Sequence, residues 1–247
     1  MSSFMTALGS TLGKKYLMAI TGLIWIGFVI GHLTGNFLLF AGPEAFNGYA
    51  HFLMSIGHGK GIYLAEAALV FAILVHVYNG LSIHFGSGKR RSVGYQVNGS
   101  AGGRSRKGLA SQGMAISGTI LLVFLVVHIA SFKFGLFSEG EVQKYTLASG
   151  VEMVNLYARV VHHFGEVGDV AFYTIVMLML GMHLKHGAWS ALQSLGLLNK
   201  KTYPLAVTGA TLLALALSFG FLALPGIIFL NHDHFAELAK LTKSGGM

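Results

Sequence analysis

The chain has no cysteine, which excludes disulfides and thiolate-ligated iron–sulfur clusters within it and leaves the redox compartment unread. It carries no flavin or nucleotide fingerprint, so chemistry on a bound dinucleotide does not belong to this chain. Charge is scarce: 11% of residues are Asp, Glu, Lys or Arg, against about a quarter in a soluble domain. The first apolar run is not expected to be a cleaved signal peptide, because it is far longer than a signal-peptide core and no small-x-small site follows it.

What fills the chain is apolar. Hydrophobic residues make up 53% of it and gather in long runs, the pattern of a membrane protein. About 20 apolar helical residues cross a hydrocarbon core of about 30 Å. Five segments meet that length, at roughly 16–40, 61–85, 114–134, 167–189 and 204–230. They predict an all-α, five-helix membrane bundle forming a single membrane domain over 1–247.

Charge sets its orientation. Lys14 and Lys15 precede the first span. "GKRRSVGYQVNGSAGGRSRKG" lies between spans two and three, and Lys200 and Lys201 lie between spans four and five. All nine acidic residues fall on the opposite side or in span ends facing it. The positive-inside rule makes the basic side cytoplasmic, with the N-terminus inside and the C-terminus outside. The net charge of +8 is therefore a topology signal. Nucleic acid is not an expected partner, because the basic loop is rich in Gly and Ser and poor in aromatics for base stacking.

Between the spans, 86–112 reads as a solvated inner loop. Pro43 opens a short helix in the outer loop after span one. "EVQKYTLASGVEMVNLYARVV" is long enough for an interfacial helix, as is the tail from Asn231. An internal echo runs through the spans. Gly22 of Thr21-Gly22 stands ten residues before His32, and Gly118 of Ser117-Gly118 ten before His128; Gly80 and Gly187 each follow a histidine by four. Either spans one and two recur as three and four, or the general abundance of small residues in membrane helices accounts for it.

Of twelve histidines, four lie well inside spans, one in each of the first four: His32, His76, His128 and His183. An imidazole in hydrocarbon is expensive unless its nitrogens are satisfied. A single one ordinarily bonds to a neighbouring helix. Four matched positions suggest more. Spans one and three run outward, which puts His32 and His128 towards the outside; spans two and four run inward, which puts His76 and His183 towards the inside. Two imidazoles from different helices can hold a haem iron axially, with the macrocycle filling the bundle interior. Gly27, Gly31, Gly35, Gly80, Gly118, Gly181 and Gly187 leave room for a large ring. The expected pairs are His32 with His128 around an outer haem and His76 with His183 around an inner one. His186, on the same face as His183, is the alternative ligand.

The other polar residues have plainer readings beside functional ones. His84 meets headgroups or a haem propionate. "HDH" at 232–234 is metal-like in spacing but sits in a short polar tail. His51, His58, His162 and His163 belong to outer loops, available for quinone or proton chemistry. Glu66 and Asp169 lie at outer span ends, solvated or in a proton relay. Haem with two histidine ligands has no open position and carries electrons. Such a stack would link a cytoplasmic donor subunit to a membrane quinone, whose ring wants polar groups in an apolar cleft. Asn36, His51 and Glu66 are the candidates for that cleft.

Several stretches carry a family resemblance: "GKKYLMAITGL", "GHLTGNFLLF", "YAHFL", "HVYNG" and "MHLKHGAWSALQSLGL". Together they resemble the five-helix, dihaem cytochrome b anchor subunit of succinate dehydrogenase and fumarate reductase, over nearly all of Ser10 to Leu230. The resemblance implies two haem b groups with His32, His76, His128 and His183 as axial ligands. It implies flavoprotein and iron–sulfur partner subunits on the cytoplasmic face, where succinate and fumarate interconvert as part of the tricarboxylic acid cycle or its reversal. It also implies menaquinone, or else ubiquinone, as the quinone, in a bacterial cytoplasmic membrane. The family often has an arginine just before the serine-glycine of the third helix. Gln112, Gly113 and Met114 stand there here, so Arg106 or Lys107 would substitute as propionate partner. Two rivals stay open: a dihaem cytochrome b of another quinone-linked oxidoreductase, and a haem-free transporter that relays protons through its histidines.

Overall fold

A computed structural model of the protein describes residues 2–89, 113–137 and 144–240. Most of the inner loop read from the sequence, with Arg106 and Lys107, lies outside them. Nearly everything described is helical. In chain order the elements are α1 (Ser2–Gly9), α2 (Thr11–Asn36) with a 3₁₀ extension (Phe37–Ala41), α3 (Pro43–Ser55) and α4 (Gly61–Lys89). Then come α5 (Met114–His128) with a π-helical extension (Ile129–Lys133), β1 (Lys144–Thr146), β2 (Glu152–Val154) and α6 (Leu156–His163). The chain closes with α7 (Val167–Ser194), α8 (Thr202–Leu230) and α9 (His232–Lys240).

Five of these helices are long and apolar enough to cross a membrane: Thr11–Ala41, Gly61–Gly86, Met114–Lys133, Val167–Ser194 and Thr202–Leu230. They coincide with the five expected spans, the first, fourth and fifth being longer by a few residues. Large apolar side chains stand out from them, Leu64 at 75%, Leu205 at 72% and Leu230 at 81% exposure. Helices apolar on every face need a surrounding other than water, and lipid supplies it.

The molecule forms two compact units, and each of the five long helices passes from one unit to the other within a continuous run of turns. One unit comprises Met1–Phe28, Ala68–Leu121 and Met179–Ala216. Its polar ties include Lys14 with Ser82, and Asn199 Oδ1, which accepts from the amides of Lys201 (2.8 Å) and Thr202 (3.0 Å) to start α8. Trp189 packs edge-on against Tyr203, ring centroids 5.6 Å apart.

The other unit comprises Val29–Ala67, Leu122–Leu178 and Leu217–Met247. Here α2 and α8 meet at Gly220, where an added Cβ would lie 2.6 Å from Leu33 Cδ2. Ser218 Oγ donates to the Met177 carbonyl at 2.8 Å, tying α8 to α7. The short elements gather around two buried asparagines. Asn47 Nδ2 donates to Asn155 Oδ1 (3.1 Å), and Asn155 Nδ2 to the Ala239 carbonyl (3.2 Å). Tyr157 N–H donates to Asn47 Oδ1 (3.1 Å), while Asn155 Oδ1 caps α6 through Ala158 N–H (3.0 Å). One network thus locks α3, α6 and α9 together.

The stretch expected to be one interfacial helix is instead a hairpin followed by a shorter helix. Tyr145 pairs with Met153 across β1 and β2, and Gly150 takes φ 82 in the turn. A left-handed glycine between β-branched and aromatic residues favours a hairpin over a continued helix. Glu44 of α3 holds it, accepting from Tyr145 Oη (3.0 Å) and Ala148 N–H (2.9 Å). The expected short helices at Pro43 and in the tail are α3 and α9.

Candidate functional site

Each unit contains one pair of spanning histidines. In the first, the rings of His76 (α4) and His183 (α7) have centroids 6.4 Å apart at an interplanar angle of 60°. In the second, those of His32 (α2) and His128 (α5) are 5.8 Å apart at 85°.

The local sequence explains how His76 and His183 are held. Thr21 Oγ donates to the Leu17 carbonyl one turn back, at 2.7 Å. That bond uses its hydrogen and leaves the oxygen free to accept from His76 Nδ1, 3.3 Å away. His76 Nδ1 also lies 3.1 Å from the Met18 carbonyl, which can only accept. The ring hydrogen therefore sits on Nδ1, and Nε2 keeps its lone pair. The same device serves His183. Ser117 Oγ donates to the Gly113 carbonyl (2.9 Å) and accepts from His183 Nδ1 (3.2 Å).

The next residue in each case is glycine, and for a reason. A Cβ on Gly22 would lie 3.1 Å from His76 Cε1, and one on Gly118 3.3 Å from His183 Cε1. Both are closer than ordinary contact, so a side chain at either position would push the imidazole back by a few tenths of an ångström. The hydroxyl-glycine echo in the sequence thus acts across helices, on the histidines of α4 and α7.

In the second unit His128 Nδ1 lies 2.9 Å from Tyr173 Oη. Phe124 and Phe132 flank its ring at 5.3 and 5.1 Å. His32 has Phe221 at 6.0 Å. Tyr173 did not stand out in the sequence, because nothing local marks a tyrosine on α7 as the partner of a histidine on α5.

These pairs can be tested for a metal between them. A metal–imidazole bond is about 2 Å and a ring centroid lies about 1.1 Å behind its nitrogen, so two imidazoles on opposite sides of one ion have centroids about 6.2 Å apart. The observed 5.8 and 6.4 Å bracket that separation. Hydroxyl and carbonyl acceptors on Nδ1 are the outer partners that orient a metal-binding histidine. Among the described residues no group of three or more His, Cys, Asp or Glu could hold a metal ion. Two protein ligands per site suit an ion that brings its remaining ligands with it, as an iron in a macrocycle does. Nothing lies within 4 Å of a Cβ placed on Gly27, Gly31 or Gly187, which leaves space along these helices. By contrast Gly35 makes way for the Tyr49 ring, and Gly80 has Met18 Sδ at 3.8 Å. Among the described residues the buried Trp25 Nε1 has no hydrogen-bond partner, a donor open to a cofactor's polar edge.

The remaining candidates are dispersed. His186 meets Trp189 edge-on at 5.0 Å, while it is His183 that stands opposite His76. His84 is exposed beside Phe85. With Leu81, Ala115, Ile116, Thr119 and Ile120 it lines an apolar hollow of about 310 Å³. Asn36 Nδ2 donates back to the His32 carbonyl at 2.8 Å, His51 is half-buried on α3, and Glu66 pairs with Lys133. Among the described residues no hydrogen bond or ion pair joins any two of Asn36, His51 and Glu66. A closer polar group is one the sequence presented as two unrelated residues: His163 Nδ1 lies 2.8 Å from Asp169 Oδ2. Comparison of the chain with protein-family models, curated proteins and solved structures gives no match, so its function is read from this geometry.

Proposed function

We propose that the chain is the membrane-anchor cytochrome b subunit of a succinate:quinone oxidoreductase in a bacterial cytoplasmic membrane. His32 with His128, and His76 with His183, would each hold one haem b. The two imidazole pairs at 5.8 and 6.4 Å carry this reading. Each bound haem would supply one-electron transfer without an open coordination site. The protein's own part is to orient and insulate. Thr21, Met18 and Ser117 keep the Nδ1 hydrogens of His76 and His183 occupied, so each Nε2 would keep its lone pair for the iron. Phe124, Phe132 and Phe221 exclude water around His32 and His128. With no cysteine or nucleotide site in the chain, the dicarboxylate chemistry belongs to flavoprotein and iron–sulfur partners docked on the basic, cytoplasmic side. Menaquinone or ubiquinone is the membrane partner. If quinone and dicarboxylate react on opposite sides, each electron couples to about 2.3 kcal/mol per 100 mV of membrane potential.

The test is the reduced-minus-oxidised spectrum and pyridine haemochrome content of the purified chain. Two haems per chain are expected. Replacing either histidine of a pair by alanine should remove one of them, and replacing both of that pair should remove no more. A colourless protein refutes the proposal and leaves the histidine-relay transporter standing. Full haem content in the His76 and His183 variants refutes the ligand assignment.

A further inference from the structure

The pair His163–Asp169 is unlike the other polar groups at the span ends. The His163 side chain is 8% exposed, and its Nδ1 faces an Asp169 carboxylate that is 39% exposed. A carboxylate only accepts, so Nδ1 carries the ring hydrogen. In the neutral imidazole Nε2 then holds a lone pair. That nitrogen is buried and has no hydrogen-bond partner among the described residues. Leaving a buried acceptor orphaned is costly, and a ligand that donates to it would recover that cost.

The surroundings say what kind of ligand. The His163 ring packs on Phe132, centroids 4.9 Å apart, and Phe132 packs on His128 at 5.1 Å. The two imidazoles are therefore no more than about 10 Å apart with one benzyl ring between them. Phe164 and Tyr173 also contact Phe132, at 6.1 and 6.2 Å. A hydrogen-bond acceptor in an aromatic surround suits a flat apolar molecule bearing a hydroxyl. We propose that His163 Nε2, oriented by Asp169, accepts a hydrogen bond from the hydroxyl of a quinol, forming a binding site beside the His32–His128 pair. The site prefers quinol to quinone, because a quinone offers only acceptor oxygens to an acceptor nitrogen. This rests on the quinone reading given above and assigns its polar contact to His163 in place of Asn36, His51 or Glu66.

The test uses the full chain purified in detergent, with haem content recorded for every sample. Anaerobic equilibrium dialysis compares a short-tailed naphthoquinol with its dimethyl ether, which keeps the ring and lacks the hydroxyl hydrogen. The wild-type chain should prefer the quinol by about tenfold, the worth of one such hydrogen bond. His163→Phe keeps a ring against Phe132 and should abolish the preference without changing haem content. Asp169→Leu, altered on the exposed side of the pair, should lose most of it, and Asp169→Asn, which can still accept from Nδ1, should retain most of it. Equal affinity for quinol and ether in the wild type, or an unchanged preference in His163→Phe, overturns the proposal; a buried water on Nε2 would give the second result. Absence of haem would count against the cytochrome reading alone, since the dialysis reports on His163 either way.

Discussion

His183 and His76 are held by the same kind of hydroxyl but do not depend on it equally. Among the described residues His183 Nδ1 has one acceptor, Ser117 Oγ at 3.2 Å. His76 Nδ1 has two, Thr21 Oγ at 3.3 Å and the Met18 carbonyl at 3.1 Å. Ser117→Ala therefore strands a buried N–H, whereas Thr21→Val leaves one backbone acceptor in place. A stranded His183 has an easy escape: its hydrogen moves to Nε2, the nitrogen needed for ligation. Loss of an outer partner of this kind lowers metal affinity by about 10–100-fold, and that range is expected for Ser117→Ala. Thr21→Val should cost no more than a few-fold, since half of a weak shared bond is lost. The assay is transfer of haem from the purified protein to excess apomyoglobin, followed by its spectrum. Ser117→Thr restores an oxygen and should restore retention. Equal loss in Thr21→Val and Ser117→Ala would refute the reasoning, because it would show that acceptor number does not govern the site.

Three further outcomes are expected. Gly220→Ala places a methyl 2.6 Å from Leu33 Cδ2; it should destabilise the bundle by about 1–3 kcal/mol, seen as a lower Tm in detergent and relieved by Leu33→Ala. Asn155→Ala removes the α6 cap and strands both Asn47 Nδ2 and the Ala239 carbonyl. At about 3 kcal/mol it should speed limited proteolysis within α9 by on the order of 100-fold while the spans stay intact. The phenols of Tyr145 and Tyr157 are both pushed up from 10.0 to about 12, by burial in each case and for Tyr145 also by the Glu44 carboxylate it bonds. A raised folded value for an acid means their contribution is complete below pH 10 and is lost as pH climbs towards 12. Tyrosinate absorbance should rise together with proteolysis of the hairpin and α6 in that window, and Tyr157→Phe should reduce the loss.

The spans were legible because length and apolarity decide them. No tertiary detail can shorten the run from Tyr16 to Phe40. The closeness of His32 to His128, and of His76 to His183, also followed from topology, since alternate spans run in opposite directions. What stayed hidden depends on which helices touch. Thr21-Gly22 could be seen as a pattern, but its use, holding a histidine on α4, needs the neighbour's identity. Tyr173 and the His163–Asp169 pair were opaque for the same reason. The hairpin at Lys144–Val154 was misread because length alone admits a helix there; the signal against it was Gly150 set among Tyr145, Thr146, Val151 and Val154.

Spans one and three share the same approach to their histidines, yet they depart from them in opposite ways. After His32 the backbone tightens into 3₁₀ turns at Phe37–Ala41, and after His128 it loosens into a π turn at Ile129–Lys133. One strand of helix is overwound and the other underwound, so equal numbers of residues emerge at different heights and angles. Deleting a single residue from 129–133 would let the loosened turn close into ordinary helix. It would also swing Phe132 off the His163 ring and carry Lys133 away from Glu66. A one-residue change of chain length there would leave a sound membrane helix whose far end addresses the wrong neighbours.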